Sequence, residues 1–330
     1  MCFTPYHLLV AEAITRATET AEADVVWGDE AGLGSEVDAV LVGGPLRVTL
    51  RLAAIGETRG LERGRVYLRN RRRIARWARG RQPGPLYLFN PLRPESRAVA
   101  ERLASDLRFV EDGLEAYRPG RPRGRRVSWE RRAASWLMGV KPFLRRNFIE
   151  YAPWCEAWAL VPSLARATGT TQQPKFRTID PAALLEVAAR WRPLALPDDG
   201  AVGDAVLAML DLPSAAGGLT ATEALAAAST WGVTPKHVIL KPHPRDPRPM
   251  ASIVSVRGAT VIDRRWPAEV LLPTLRQGAT VLGGESSAML TAAVLRPDLD
   301  LRLRSRADSP LAAMLRTLNA NVRIEGAVRA

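Results

Sequence analysis

Three loops of this chain combine residue types able to bind an anion or move a proton. The first is Lys241-Pro242-His243-Pro244-Arg245, which follows the apolar triplet Val238-Ile239-Leu240. Two prolines around one histidine fix its backbone and stop a helix from starting there. A His with a Lys two residues before it and an Arg two after it, at the carboxyl end of a strand, is built to meet an anion. That edge is where open α/β sheets place ligands. The chain holds 3 histidines, so a second His-based site has little material to use.

The second loop is Glu111-Asp112-Gly113, after the expected strand Leu107 to Val110. Adjacent carboxylates raise one another's pKa, which suits a general base. The same residues also serve as a turn whose Asp caps the next helix. The third loop is Gly283-Gly284-Glu285-Ser286-Ser287, after the apolar run Ala279 to Leu282. Glycines followed by hydroxyls at a helix start form an anion site, because free N–H groups and the helix dipole both favour a phosphate. N-capping by Ser286 or Ser287 is compatible with that reading. The Lys and spacing of a P-loop are absent.

The elements that must position these loops alternate. Met1 to Phe3 reads as the tail of a strand and His7 to Ala21 as a helix. Asp24 to Trp27 and Ala39 to Val42 read as strands. Val66 to Leu68 reads as a strand followed by a basic helix to about Arg79. Leu86 to Phe89 and Leu107 to Val110 read as strands around a helix from Glu95 to Ala104. In the second half, Ala201 to Leu210 and Thr220 to Ala228 are alanine-rich and read as helices, and Leu194 to Leu196 as a short strand. His237 to Leu240, Thr260 to Ile262 and Thr280 to Leu282 read as strands, with helical segments at Pro267 to Leu275 and Ser286 to Leu295. This alternation predicts parallel sheets covered by helices. The polar stretch from about Thr168 to Asp180 divides the chain into domains 1–170 and 171–330. Only Met1, Cys2 and Phe3 precede Thr4-Pro5, which is short for a first strand; the expectation is that the natural protein begins a few residues upstream.

With 330 residues, 47% of them hydrophobic, the chain has material for two cores. Cys2 and Cys155 form no CxxC or Cys/His cluster, so a zinc site or disulfide framework is not expected. No apolar run approaches the ~20 residues of a membrane span, and no signal peptide is evident. A cytoplasmic location is expected, at or near the inner face of the plasma membrane. The net charge is +13, carried mostly by arginine. One cluster runs from Arg59 to Arg81. Another runs from Arg118 to Arg146 and interleaves with Trp129, Trp136 and Phe143. Such a mixture suits an anionic membrane face, an anionic acceptor or nucleic acid, and a solvated arginine-rich surface equally accounts for it.

Taken in order, Glu111-Asp112-Gly113, His243-Pro244 and Ser286-Ser287 resemble the D/E-D/E-G, HP and serine motifs of the bacterial sialyltransferases that extend lipooligosaccharide and polysialic acid. The opening Thr4-Pro5-Tyr6-His7 is similar to the opening of those families, and Tyr117 fits the same neighbourhood. The resemblance spans nearly the whole chain through separated motifs. It implies a GT-B architecture, with two Rossmann-like α/β domains whose parallel sheets face an interdomain cleft. It further implies an inverting, metal-independent transfer of sialic acid, or a related nonulosonate, from a CMP-sugar to a glycan or glycolipid hydroxyl, with no cofactor. Glu111 would be the general base, with Asp112 beside it. His243 would meet the CMP phosphate and assist the leaving group, with Pro244 shaping its loop. Gly284, Ser286 and Ser287 would hold the phosphate, and Lys241 and Arg245 would add charge. The chemistry is coherent by itself. Charge builds on a departing phosphate while the acceptor alcohol loses a proton.

Three rivals share parts of this pattern. A CDP-glycerol or CDP-ribitol phosphotransferase of the teichoic-acid type is similar, but would call for a further catalytic His in the amino-terminal half, where His7 is the only candidate. A CMP-Kdo transferase would use the same phosphate grip. A basic polyanion-binding protein would use the arginine clusters alone, although no zinc finger, RNP-like motif or helix-turn-helix is recognisable.

Overall fold

A computed structural model describes residues 1–330 apart from 31, 56–57, 91–92, 112–127, 141–153, 165–174, 197–204, 212–218, 235–236, 245, 247, 249, 251–252, 254–258, 306–308 and 326–330. The chain divides into two compact units, Met1–Asp180 and Pro181–Ala330.

In chain order the first unit contains α1 (Pro5–Ala17), β1 (Ala23–Gly28), α2 (Glu36–Leu41), β2 (Leu46–Leu52), α3 (Gly60–Ala78), β3 (Gly84–Leu88), α4 (Pro94–Leu103), β4 (Ala104–Val110), α5 (Trp129–Met138), β5 (Trp154–Ala159) and β6 (Lys175–Thr178). β1 pairs with β2, and β3 to β6 pair in sequence, all parallel. Residues 1–3 join the two sets. The Cys2 N–H donates to the Val26 carbonyl at 3.0 Å, and the Gly28 N–H donates to the Cys2 carbonyl at 2.9 Å. On the other side the Met1 amino group donates to the Tyr87 carbonyl at 2.6 Å. Residues 1–3 thus lie between the two-stranded sheet β1-β2 and the four-stranded sheet β3-β4-β5-β6. This is a doubly wound layout, whose ligands collect beyond the carboxyl strand ends where the winding reverses. Here that point lies between Phe3 and the end of β3.

Several expected strands are helical. Ala39 to Val42 falls largely in α2, which buries Val37, Val40 and Leu41, the one-face spacing of a helix. Val66 to Leu68 lies inside α3, which buries Val66, Asn70 and Ile74 at successive fourth positions. β6 completes the first sheet, so the first unit runs to Asp180, past the 170/171 division expected.

The second unit contains α6 (Pro181–Ala195), β7 (Val206–Met209), α7 (Ala221–Thr230), β8 (Val238–Lys241), β9 (Thr260–Val261), a 3-10 helix (Ala268–Thr274), β10 (Thr280–Gly283), α8 (Ser287–Leu295), β11 (Asp300–Arg304), α9 (Pro310–Leu318) and β12 (Val322–Glu325). Its six-stranded sheet has the order β12-β11-β10-β7-β8-β9, parallel throughout. The first strand, β7, again sits in the middle, and the winding reverses between β7 and β10. Leu194 to Leu196, expected as a strand, instead overlaps the end of α6. The stretch Ala201 to Leu210, expected as a helix, contains β7, all four of whose residues are buried. A strand covered on both faces reads as a continuous apolar run and loses its alternation. One face packs Ala208, Val238, Leu240 and Leu282 against Ala224 and Ala228 of α7.

Candidate functional site

In the first unit, the Thr-Pro-Tyr-His segment leads from the bridged residue Cys2 into α1, so the strand tail expected at Met1 to Phe3 is a single bridge to Trp27. Thr4 is the N-cap, with its Oγ1 accepting from the His7 N–H, and Pro5 occupies the first helical turn, where its missing N–H costs nothing. His7 is 3% exposed. Its Nδ1 accepts from the Phe3 N–H at 3.1 Å, and its ring stacks on Phe89 at 4.5 Å. That engagement ties Phe3 to Phe89, just after β3, and suits a structural histidine.

Glu111 follows β4 and is 1% exposed. Its Oε2 accepts from the Leu160 N–H at 3.0 Å. Its Oε1 accepts from the Tyr6 hydroxyl at 3.3 Å, longer than a usual O–H···O bond. The structure thus brings the N-terminal loop and the first acid of the pair together. It also buries a carboxylate expected to face an acceptor. Asp112, Gly113 and Tyr117 lie outside the described residues.

In the second unit, His243 leaves the sheet after β8 in a braced turn. Its carbonyl accepts from the Asp246 N–H at 3.0 Å, and it is half-buried beside the exposed Pro244. The buried Asp246 accepts from Arg248 Nη2 at 2.6 Å, and that hydrogen bond holds its carboxyl below the usual aspartate value. Lys241, expected to add charge at the phosphate, is placed differently. It is 3% exposed, and its Nζ donates to the Pro242 and Arg264 carbonyls at 2.6 and 3.2 Å. Burial lowers its pKa to about 8, against the opposing pull of Glu269 and Asp263. It clamps the loop from beneath. Arg245 lies outside the described residues.

Beyond β10, Gly283 and Gly284 are required by close approach. A Cβ on Gly283 would meet Met289 Sδ at 2.7 Å, and one on Gly284 would meet Asp211 Oδ2 at 2.0 Å. Ser286 is the N-cap of α8 by position and backbone, yet its side chain makes no cap bond. Its Oγ is buried without a hydrogen-bond partner, an arrangement that calls for an explanation in a native fold. Ser287 is the first residue of α8. Because β8 and β10 both flank β7, and adjacent strands lie ~4.8 Å apart, the His243 and Ser286 loops leave the sheet within ~10 Å of each other. A phosphate group suits that spacing.

Asp211 was missed from sequence. It follows β7 at the point where the winding reverses. Its Oδ2 accepts from the Leu219 N–H at 2.8 Å. Burial raises its pKa, opposed by that bond and by Arg304, and Glu285 adds to the rise. Recognising Val206 to Met209 as a strand would have exposed it as a strand-end carboxylate. Arg304, after which β11 ends, is occupied in donating to Glu223 Oε1 at 2.7 Å.

No protein-family model matches the chain, and no curated protein matches it. Among solved structures it is similar to an α/β-galactoside α-2,3-sialyltransferase from the luminous marine bacterium Photobacterium phosphoreum. The two share 10% identity and a TM-score of 0.47, over 98% of this chain and 96% of that one. At that level of likeness we rely on the chain's own geometry.

Proposed function

We propose that the protein is a glycosyltransferase that takes a CMP-activated nonulosonate, a sialic acid or close relative, and passes it to a glycan hydroxyl. The observation that carries this reading is in the second unit. An imidazole on a braced, proline-bounded turn follows β8, and an unsatisfied serine hydroxyl at a helix N-terminus follows β10, the two strands that neighbour β7. In this reading one phosphate would be met by three kinds of group that stabilise negative charge: an imidazole, a hydroxyl and helix N–H groups. The order of the motifs, with the acid pair in the amino-terminal half, supports a CMP-sugar over other phosphate esters.

In this reading the CMP phosphate rests on Ser286, Ser287 and the first turn of α8. His243 stabilises the charge that develops as the bond from the anomeric carbon to the phosphate oxygen breaks. The acceptor oxygen forms the new bond to that carbon from the opposite face, which inverts its configuration. The acceptor's proton goes to a carboxylate. Glu111 is that base, and the Tyr6 hydroxyl, held at 3.3 Å from Oε1, occupies the place of an acceptor alcohol. Lys241 supports the His243 loop and does not touch the phosphate. The two domains would present these groups to a common GT-B cleft, and the transfer would need no metal.

A donor panel tests the reading. Purified protein is given CMP-Neu5Ac, CMP-Kdo or CDP-glycerol with candidate glycan acceptors, and nucleotide release is followed. The proposal expects CMP release from CMP-Neu5Ac or a related nonulosonate donor. Turnover of CDP-glycerol alone would replace it with the phosphotransferase reading.

A further inference from the structure

We propose that the packed helices α3 and α5 dock the protein on an anionic lipid surface, independently of which donor it uses. α3 buries Val66, Asn70 and Ile74 on one side. At 100° per residue the opposite side carries Leu61, Arg65, Leu68, Arg72 and Arg76, and all five are exposed. Leu61 is 86% exposed and Leu68 is 40% exposed, so two leucines seven residues apart share the outward stripe with three arginines. α5 repeats the arrangement. Ala134, Ser135 and Met138 are buried, while Trp129, Arg132 and Trp136 face outward, the tryptophans 75% and 65% exposed.

The two helices pack against each other. Gly64 of α3 faces Leu137 of α5, where an added Cβ would lie 3.7 Å from Leu137 Cδ1, so the outward stripes are neighbours. The acidic residues of their first turns, Glu62 and Glu130, match the positive helix N-termini. A solvated arginine face needs no exposed leucine or tryptophan among its cations. A phosphate-binding nucleic-acid face likewise gains nothing from Leu61 and Leu68. Apolar side chains between arginines are what an interfacial helix needs, with the aliphatic and indole groups entering the headgroup region and the guanidinium groups pairing with lipid phosphates. Among the described residues no helix is long and apolar enough to cross a membrane, so this face would lie on the bilayer. A surface of this kind would bring the enzyme to a lipid-linked acceptor.

The test is co-sedimentation of the full chain with vesicles of phosphatidylcholine alone or of equal parts phosphatidylcholine and phosphatidylglycerol, at low and high salt. A DNA duplex is measured in parallel. Binding is expected only to the anionic vesicles, with partial loss at high salt. Each arginine at an anionic surface adds about fivefold, so Arg72→Gln with Arg76→Gln should weaken binding about 25-fold. Replacing Leu61, Leu68, Trp129 and Trp136 with serine should weaken it at least about tenfold while leaving circular dichroism and duplex binding unchanged. A second readout needs only a conservative change. Brominated phosphatidylglycerol should quench the protein's tryptophan fluorescence, and Trp129→Phe with Trp136→Phe should remove that quenching. Binding to duplex but not to vesicles, vesicle binding indifferent to the serine variant, or no quenching would each overturn the proposal. None of these results bears on CMP release from a soluble donor, so failure here is separable from failure of the donor reading.

Discussion

Asp211 and Gly284 meet at the reversal point of the carboxyl-terminal sheet so closely that a methyl group on Gly284 would fall 2.0 Å from Asp211 Oδ2. The glycine lets the β10 loop pass against the carboxylate. Gly284→Ala must therefore displace Asp211 or the loop, at about 1–3 kcal/mol. It should lower the melting temperature and weaken CMP binding together. Adding Asp211→Ala should restore part of both. A double-mutant cycle shows whether the contact is the cause; strict additivity would place the damage elsewhere.

Ser286 separates a cap from a ligand. Its Oγ makes no cap bond and is buried without a partner. Ser286→Ala should leave thermal stability nearly unchanged and cost about tenfold in CMP affinity, the loss of one hydrogen bond to a charged group. Calorimetric titration alongside a melting curve reads both. A fall in stability with affinity intact would make it an ordinary capping serine.

Lys241 carries a pH signature. Burial holds its pKa at about 8, with the facing Glu269 and Asp263 opposing the fall, against an ordinary value of 10.5. Between those values the unfolded chain binds more protons than the folded one, so stability from this group rises with pH from about 8 to the ordinary lysine range. Below about 8 the protonated folded form carries the full burial penalty. Lys241→Met should abolish that rise in denaturant midpoint. It should also lower stability overall, because the Pro242 and Arg264 carbonyls lose their donor. An unchanged pH profile would refute the assignment.

The acid pair is settled by isosteric changes. Glu111→Gln should reduce turnover about 100-fold or more while donor binding persists. Tyr6→Phe, which removes the long hydrogen bond to Oε1, should act weakly. If Asp112→Asn is the crippling change and Glu111→Gln affects only stability, the base is Asp112, and Glu111 serves to hold Tyr6 and the end of β5.

Much of this arrangement was legible in the chain because turn chemistry is local. The helix expected from His7 to Ala21 overlaps α1, and Gly283-Gly284 precedes α8 as expected. Lys241-Pro242-His243-Pro244 breaks after β8 because prolines forbid continuation. Burial on both faces was not legible. Ala201 to Leu210 reads as an alanine-rich helix until β8 and β10 enclose Val206 to Met209, and with that strand Asp211 was lost. The surroundings of Lys241 and Glu111 were hidden for a related reason. Charged residues beside a ligand loop look functional in sequence, but only the fold shows that Lys241 grips carbonyls from below and that Glu111 is already held by Tyr6 and Leu160. Ala39 to Val42 and Val66 to Leu68 failed because short apolar runs carry no periodicity to tell strand from helix.

The central claim is that one phosphate is held by the loops after β8 and β10. A crystal structure with CMP bound tests it most directly. The account predicts the phosphate within hydrogen-bond reach of Ser286 Oγ and the His243 ring, at the first turn of α8, with His243→Ala lowering turnover by about 3 kcal/mol. A nucleotide seated elsewhere, with both groups out of reach, would contradict it.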